Sequence, residues 1–290
     1  MEAVRITGAT RIVALLGDPV AHSISPLIHN RAFSRLCLEC AYVALRVPRD
    51  RVHVAMHALR SLGWVGCNVT VPHKAAVVPY CDRLVEPARS MGVVNTLYYE
   101  GSTLCGTSTD PRGFLRALRW MGHDPRGGRA VILGNGGTAR TLAFTLVRQA
   151  GVSQLTLVGR NAARVGALAS LVGEVCGFDV RWKLFSDPEL ARVCAESTLL
   201  VNATSVGMHP RVDESPLGEE MFSEGTIVFD AVYNPPTTRF LTLARGKGCR
   251  VQNGLRMLLY QALESFRLWT GLDAPEELFE IEELQRWTGG

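Results

Sequence analysis

Lys74 and Asp110 are the residues with the plainest capacity for proton chemistry. Lys74 closes the run Asn68-Val69-Thr70-Val71-Pro72-His73-Lys74, which follows a strand-like segment and leads toward a helix, and Asp110 stands in Thr109-Asp110-Pro111. A lysine just past a strand end, beside polar side chains, can face a cleft. Paired with an aspartate it forms the acid/base couple needed when a hydride transfer must be matched by a proton. Each residue also has a bland reading, Lys74 as a solvated surface charge and Asp110 as the cap of a helix starting at Pro111. Ser23-Ile24-Ser25-Pro26 is equally double-edged: two hydroxyls can hold a carboxylate, and Ser25 before a proline also suits a helix N-cap. Asn95-Thr96 adds two more polar side chains beside an apolar run.

A second chemical signal lies in LGNGGTAR, where Gly134, Asn135, Gly136, Gly137, Thr138 and Ala139 separate a strand-like AVIL from a helical segment. Glycines there let the backbone turn tightly and approach a pyrophosphate, whose charge meets the amides and positive dipole of a helix N-terminus. The spacing G-x-G-G-x-A is a variant of the dinucleotide fingerprint, although a purely structural turn would look alike. The next strand ends at Gly159-Arg160-Asn161, with Arg164 one turn further on. NAD-binding folds usually place an acid at that strand end, whereas arginine accommodates the 2′-phosphate of NADP. This chain has arginine and no acid.

The elements that must position these groups alternate. Arg11 to Leu16, Tyr42 to Val47 and Trp64 to Val69 read as strands, with helical periods at Pro26 to Cys40 and Arg51 to Leu62. A new series begins at Arg129, with a helix over Gly137 to Ala150 and strands at Gln154 to Val158, Thr198 to Val201, Thr226 to Phe229 and Arg250 to Gln252. Such βαβ alternation predicts mostly parallel sheets. Leu255 to Trp269 is an apolar-periodic helix and Pro275 to Arg286 a charged one, so the chain returns after the second sheet. Two domains are expected, residues 1–111 with 253–290 and residues 112–252.

Composition excludes several function classes. With 290 residues, 47% hydrophobic and 20% charged, the chain is globular, and a net charge of +4 with scattered basic residues offers no nucleic-acid stripe. The run Ile12 to Leu16 is too short for an export signal and no segment is long and apolar enough to span a membrane, so a cytoplasmic location is expected. The 8 cysteines are irregularly spaced and suit free thiols. Cys37-x-x-Cys40 and the His53/His57 pair lack further ligands, and no metal is expected.

Taken in order, GDPVAHSISPLIHN, NVTVPHK, VVNTL, GNGGTAR, VGRN, VNATSVGM, DAVYNPPTT and NGLRMLLYQA resemble the landmarks of the shikimate dehydrogenase family over nearly the whole chain. The resemblance implies reduction of 3-dehydroshikimate to shikimate with NADPH, in the pathway to chorismate and the aromatic amino acids. It implies an α/β substrate domain, completed by the C-terminal helices, joined to a Rossmann-type NADP domain, with the active site in the cleft between them. Carried over by position, Ser23 and Ser25 hold the substrate carboxylate with Tyr233 in support. Asn68, Thr70, Asn95 and Gln261 bind ring hydroxyls or order nearby groups. Lys74 gives the proton to the developing alkoxide, with Asp110 orienting it and binding a hydroxyl, and the reverse division of labour stays open. Cofactor contacts fall at Gly134 to Ala139, Arg160, Asn161, Arg164, Thr204 and Gly254. A small-molecule substrate, a monomer or homodimer, and no nucleic-acid or membrane partner complete the expectation.

Two positions depart from the family. Ser108-Thr109-Asp110-Pro111 stands where N-T-D-G is usual, stiffening the turn after the aspartate, and Arg256 occupies a place where glycine is common. Two rival readings remain: a quinate or aminoshikimate dehydrogenase of the same superfamily, possibly NAD-dependent, and a ligand-sensing paralogue without catalysis. Ser25, where some quinate-preferring relatives carry threonine, and the Arg160/Arg164 pair favour shikimate with NADP, while the presence of both Lys74 and Asp110 speaks against a sensor.

Overall fold

The computed structural model describes residues 6–288. These form two compact units, one ending at Gly113 and resumed over Leu258–Trp287, the other spanning Phe114–Met257 with Thr288. Residues 112–113 thus group with the first unit and 253–257 with the second. The reason for the latter is local: Asn253 Nδ2 donates to Pro236 O at 2.8 Å and the Gly254 amide to Val232 O at 3.1 Å, fastening the segment to a loop of the second unit.

The first unit begins with β1 (Arg11–Gly17), α1 (Ser25–Arg35), β2 (Cys40–Arg46), α2 (Val52–Ser61) and β3 (Gly66–Val69). It continues through β4 (Arg83–Leu84), α3 (Ala88–Met91), β5 (Thr96–Glu100), β6 (Thr103–Thr107) and the start of α4 (Asp110–Trp120). The sheet order is β2-β1-β3-β5-β6-β4. β1 pairs parallel with β2 and β3, and Val13 to Leu16 are buried, the continuous apolar run expected of a strand covered on both faces. The hairpin β5–β6 pairs antiparallel within itself and with β3. It is absent from the expected strands, although Gly101-Ser102 between two strand-forming runs is a two-residue hairpin signal, and Gly101 adopts φ 61°.

One face of this sheet packs on Met56 and Leu59 of α2, the other on an aromatic layer in which His29 of α1 stacks on Tyr42 at 4.4 Å and Phe33 meets Phe266 at 5.2 Å. Trp269 Nε1 donates to Leu97 O at 2.9 Å directly above Gly66. A Cβ at Gly66 would lie 2.3 Å from that carbonyl and 2.6 Å from the indole nitrogen. Gly66→Ala should therefore cost about 1–3 kcal/mol by overpacking, plus the lost indole hydrogen bond, read as a lowered urea midpoint. An unchanged midpoint would mean that the helix carrying Trp269 does not seat against β3.

The second unit contains β7 (Arg129–Leu133), α5 (Gly137–Thr145), β8 (Gln154–Gly159), α6 (Ala162–Cys176), β9 (Val180–Leu184) and α7 (Leu190–Ala195). After these come β10 (Leu199–Asn202), β11 (Ile227–Asp230), α8 (Arg239–Gly246), β12 (Arg250–Gln252) and the first turn of α9 (Leu255–Thr270). All pairings are parallel in the order β12-β11-β10-β7-β8-β9, the doubly wound arrangement whose switch point lies between β7 and β10. Edge strand β9 is not among the expected strands, because its alternating Val-Arg-Trp-Lys-Leu hides a strand among charges. The expected helix over 137–150 ends in a π-helical turn, Leu146–Ala150, and the expected final helix is a 3-10 turn, Glu276–Leu278, followed by α10 (Ile281–Thr288). No described helix is long and apolar enough to cross a membrane, and all 8 cysteines are free.

Candidate active site

In the first unit, sheet pairing gathers the polar residues. Asn68 in β3 lies opposite Thr96 in β5, and Thr96 opposite Thr107 in β6. The Lys74 carbonyl accepts from the Val94 amide at 2.8 Å, drawing the segment after β3 alongside β5. The result is a closed network. Lys74 Nζ donates to Asp110 Oδ2 at 2.5 Å, and Asn95 Nδ2 donates to Asp110 Oδ1 at 2.8 Å and to Gln261 Oε1 at 3.1 Å. Asn95 Oδ1 accepts from the Thr109 amide at 2.8 Å and from Thr96 Oγ1 at 2.7 Å, so one asparagine fixes both the backbone and the carboxylate next to the lysine. The Lys74 and Asp110 side chains keep only 13% and 8% of their exposure. Breaking such a pair from one side leaves an uncompensated charge, which makes the pairing geometry-defining.

Asp110 is not the helix cap. It is the first residue of α4, preceded by Thr109, whose carbonyl accepts from the Gly113 amide at 3.1 Å. Its carboxylate turns to Lys74 and Asn95 while still profiting from the helix N-terminus. Pro111 falls in the first turn, where an N–H has no helical partner to lose, so the stiffened turn is absorbed by the helix start. Segment 72–80 contains turns and a 3-10 helix, Val78–Tyr80, in place of the expected helix after Lys74.

Ser25 is also not an N-cap. α1 begins at Ser25 with Ile24 in the capping position, and the Ser25 amide donates to Ser23 Oγ at 3.2 Å. Both hydroxyls sit in the same turn, Ser25 buried and Ser23 half-buried. This turn is locked to the Thr70 segment, since the Thr70 amide donates to Leu16 O at 2.9 Å and the Asp18 amide to Val71 O at 3.0 Å. Gly17 permits the approach, for a Cβ there would stand 2.4 Å from Thr70 Cγ2. Asn68 is committed internally: its Oδ1 accepts from Tyr42 Oη at 2.8 Å and its Nδ2 faces Thr96 Oγ1 and Ser265 Oγ, each at 3.0 Å. Gln261 Nε2 donates to Leu258 O at 2.9 Å, leaving one hydrogen. Thr96 and Thr109, which the sequence offers only as polar neighbours of Asn95 and Asp110, join the network, as does Ser265, which is not expected because a small hydroxyl within a helix carries no distinctive spacing.

In the second unit, Gly134 follows β7 with φ 117°, and a Cβ there would meet Ala203 O at 3.0 Å and Thr204 Cγ2 at 3.2 Å. Gly136 precedes α5 with no side-chain cap, and a Cβ on it would meet nothing within 4 Å, so open space lies over bare helix amides. This cradle fits a dinucleotide pyrophosphate. Beyond β8, Arg160 and Arg164 are exposed and Asn161 caps α6, its Oδ1 accepting from the Arg164 amide at 3.0 Å. Thr204 Oγ1 donates to Asn202 Oδ1 at 2.7 Å, and Gly254 packs so tightly that a Cβ would fall 2.3 Å from Ala231 O. Tyr233 lies past β11, its hydroxyl pushed up to about 12 by burial and therefore a neutral donor near neutral pH. Arg256 lays its guanidinium 3.4 Å over the Trp120 ring, a cation–π stack within this unit.

Residues 15–97 match the shikimate dehydrogenase substrate binding domain and residues 254–280 the shikimate 5′-dehydrogenase C-terminal domain. A shikimate dehydrogenase (NADP(+)) of Moorella thermoacetica is 45% identical over 94% of this chain and 92% of its own length. The chain belongs to the shikimate dehydrogenase family. Among solved structures, shikimate 5-dehydrogenase of Listeria monocytogenes in complex with shikimate and NAD aligns with a TM-score of 0.88 at 33% identity, covering 97% of this chain and 98% of that one. The Thermus thermophilus enzyme in complex with NADP(H) and shikimate gives 0.84 at 38% identity, covering 96% and 100%. This family member carries the Lys74–Asp110–Asn95 clamp in its first unit and the glycine turn in its second.

Proposed function

We propose that this chain reduces 3-dehydroshikimate to shikimate with NADPH, reversibly, as a step toward chorismate and the aromatic amino acids. The single observation that carries the reading is the buried Lys74–Asp110 contact of 2.5 Å, clamped by Asn95. Bound NADPH supplies the hydride. As the carbonyl carbon of the substrate gains that hydride, its π electrons move to oxygen, and Lys74 Nζ delivers the proton that makes the hydroxyl. Asp110 holds the lysine nitrogen in place beforehand, and its carboxylate accepts from a neighbouring ring hydroxyl. Ser23 and Ser25 bind the substrate carboxylate, supported by the neutral Tyr233 hydroxyl. Thr70 and the remaining Gln261 N–H take ring hydroxyls, while Asn68 and Asn95, occupied within the network, order their neighbours.

Gly134 to Ala139, with Thr204 and Gly254, receive the cofactor, and Arg160, Asn161 and Arg164 its 2′-phosphate. A cytoplasmic protein acting as a monomer or homodimer on this small molecule, without nucleic-acid or membrane partners, goes with the reading. Purified protein should oxidise shikimate with NADP, seen as rising absorbance at the nicotinamide band. Faster turnover of quinate, or of NAD, would move the chain to the neighbouring activity with the same machinery, and no turnover of any pair would favour the sensor.

A further inference from the structure

Asp230, at the end of β11, is completely enclosed and has no cation beside it among the described residues. Its Oδ1 accepts from Asn202 Nδ2 at 2.9 Å and from the Val232 amide at 3.0 Å, and its Oδ2 accepts from Thr238 Oγ1 at 2.6 Å. Asn202, equally enclosed at the end of β10, uses its Oδ1 to accept from the Thr204 amide at 3.0 Å and from the Thr204 hydroxyl at 2.7 Å. One carboxylate therefore fixes two loops. Through Asn202 it holds the loop after β10, and through Val232 and Thr238 the loop after β11.

Both loops are walls of the cofactor crevice. Ala203 and Thr204 stand against Gly134 at the switch point, where a methyl group would be tight at 3.0 Å from Ala203 O, and Ala231 stands against Gly254, where a methyl group has no room. Movement of a few tenths of an ångström in either loop would alter the space over the glycine turn. An anion buried among Asn202, the Val232 amide and Thr238, none of them charged, is costly, and a neutral amide of the same shape would be cheaper for the fold alone.

We infer that Asp230 is a positioning residue for the nicotinamide cofactor, its carboxylate setting the two loops that shape the dinucleotide crevice, a role that rests on the function proposed above. Burial pushes the Asp230 carboxyl up to about 7. When it is protonated, its bonds to Thr238, Asn202 and the Val232 amide lose the strengthening of a charged acceptor and the loops are held less firmly. A carboxyl raised in the folded state contributes stability that is full below its ordinary value of about 3.9 and is lost as pH rises through about 7. Positioning and stability thus pull in opposite directions at neutral pH.

The test is NADPH titration by nicotinamide fluorescence alongside thermal melting, on wild type, Asp230→Asn, Thr238→Val and Thr238→Ser. Near pH ~8, Asp230→Asn should melt no lower than wild type yet bind NADPH about tenfold or more weakly, the scale of one hydrogen bond to a charged group. Near pH ~6, where the wild-type carboxyl is itself protonated, the gap should close. Thr238→Val should share the loss and Thr238→Ser should restore affinity. NADPH affinity within about twofold of wild type in both Asp230→Asn and Thr238→Val would overturn the inference. So would melting temperature and affinity falling together with no dependence on pH, which marks a merely structural residue. Wild type that binds no NADPH would overturn the proposed function itself and this inference with it.

Discussion

Lys74→Ala should lower kcat for shikimate oxidation by about 10²- to 10⁴-fold, the range of positioned acid–base catalysis, while the Michaelis constant moves little. The expectation rests on where the ammonium is needed. Lys74 Nζ is tied to Asp110 in the resting protein, and in the proposed reaction it meets the substrate oxygen as charge develops there, so its contribution would be made chiefly in the transition state. Removing the ammonium leaves the Asp110 charge uncompensated and should lower stability, but the fold should persist, because Asn95 still holds Asp110 and the helix N-terminus of α4 still favours its charge. A rise in the Michaelis constant with kcat unchanged would make Lys74 a binding group and pass the proton to another residue. Equal activity would remove it from the chemistry altogether.

Arg160→Ala should weaken NADPH by roughly 10- to 150-fold and leave NADH almost unaffected, the ~1.5–3 kcal/mol of a charge-assisted hydrogen bond. Arg160 lies exposed at the end of β8, with no acid at that strand end to bind ribose hydroxyls. Arg164 sits one turn along α6 from the same point, so the double variant should lose more than either single one. The measurement is the ratio of kcat/KM for the two cofactors. An unchanged ratio would place 2′-phosphate recognition elsewhere, and a reversed ratio would fit a chain that works with NAD.

Much of this site is legible in the chain because its parts are local. The glycine turn, the arginines after β8 and the Ser-x-Ser-Pro turn are each specified by neighbours within a few residues, and their backbone conformations follow from residue type. The network around Asn95 is different. It brings together residues 68, 74, 95, 109, 110, 261 and 265, and nothing in the spacing of Thr96 or Ser265 announces that they face Asn68. Thr96 is brought there by the β5–β6 hairpin, which inserts antiparallel strands where simple βαβ alternation predicts none, and Ser265 by α9 packing over that sheet. Asp230 is a similar case: in the sequence it is one acid at a strand end, and only the fold reveals that it is enclosed with no cation beside it among the described residues. The capping expectation fails at Ser25 and Asp110 for a common reason, since a polar residue before a proline suits a helix start whether its side chain serves the helix or something else.

The first unit is assembled from two separate lengths of chain, whereas almost all of the second is continuous. During synthesis the Rossmann-type unit has its strands in hand once β12 has emerged, and can fold as a block. The Lys74 neighbourhood cannot be completed then, because Gln261, which accepts from Asn95, and Ser265, which faces Asn68, are made only afterwards. The nascent chain should therefore become competent to bind cofactor before it can carry out the reaction, with the site's polar lining open to water until α9 arrives to close it.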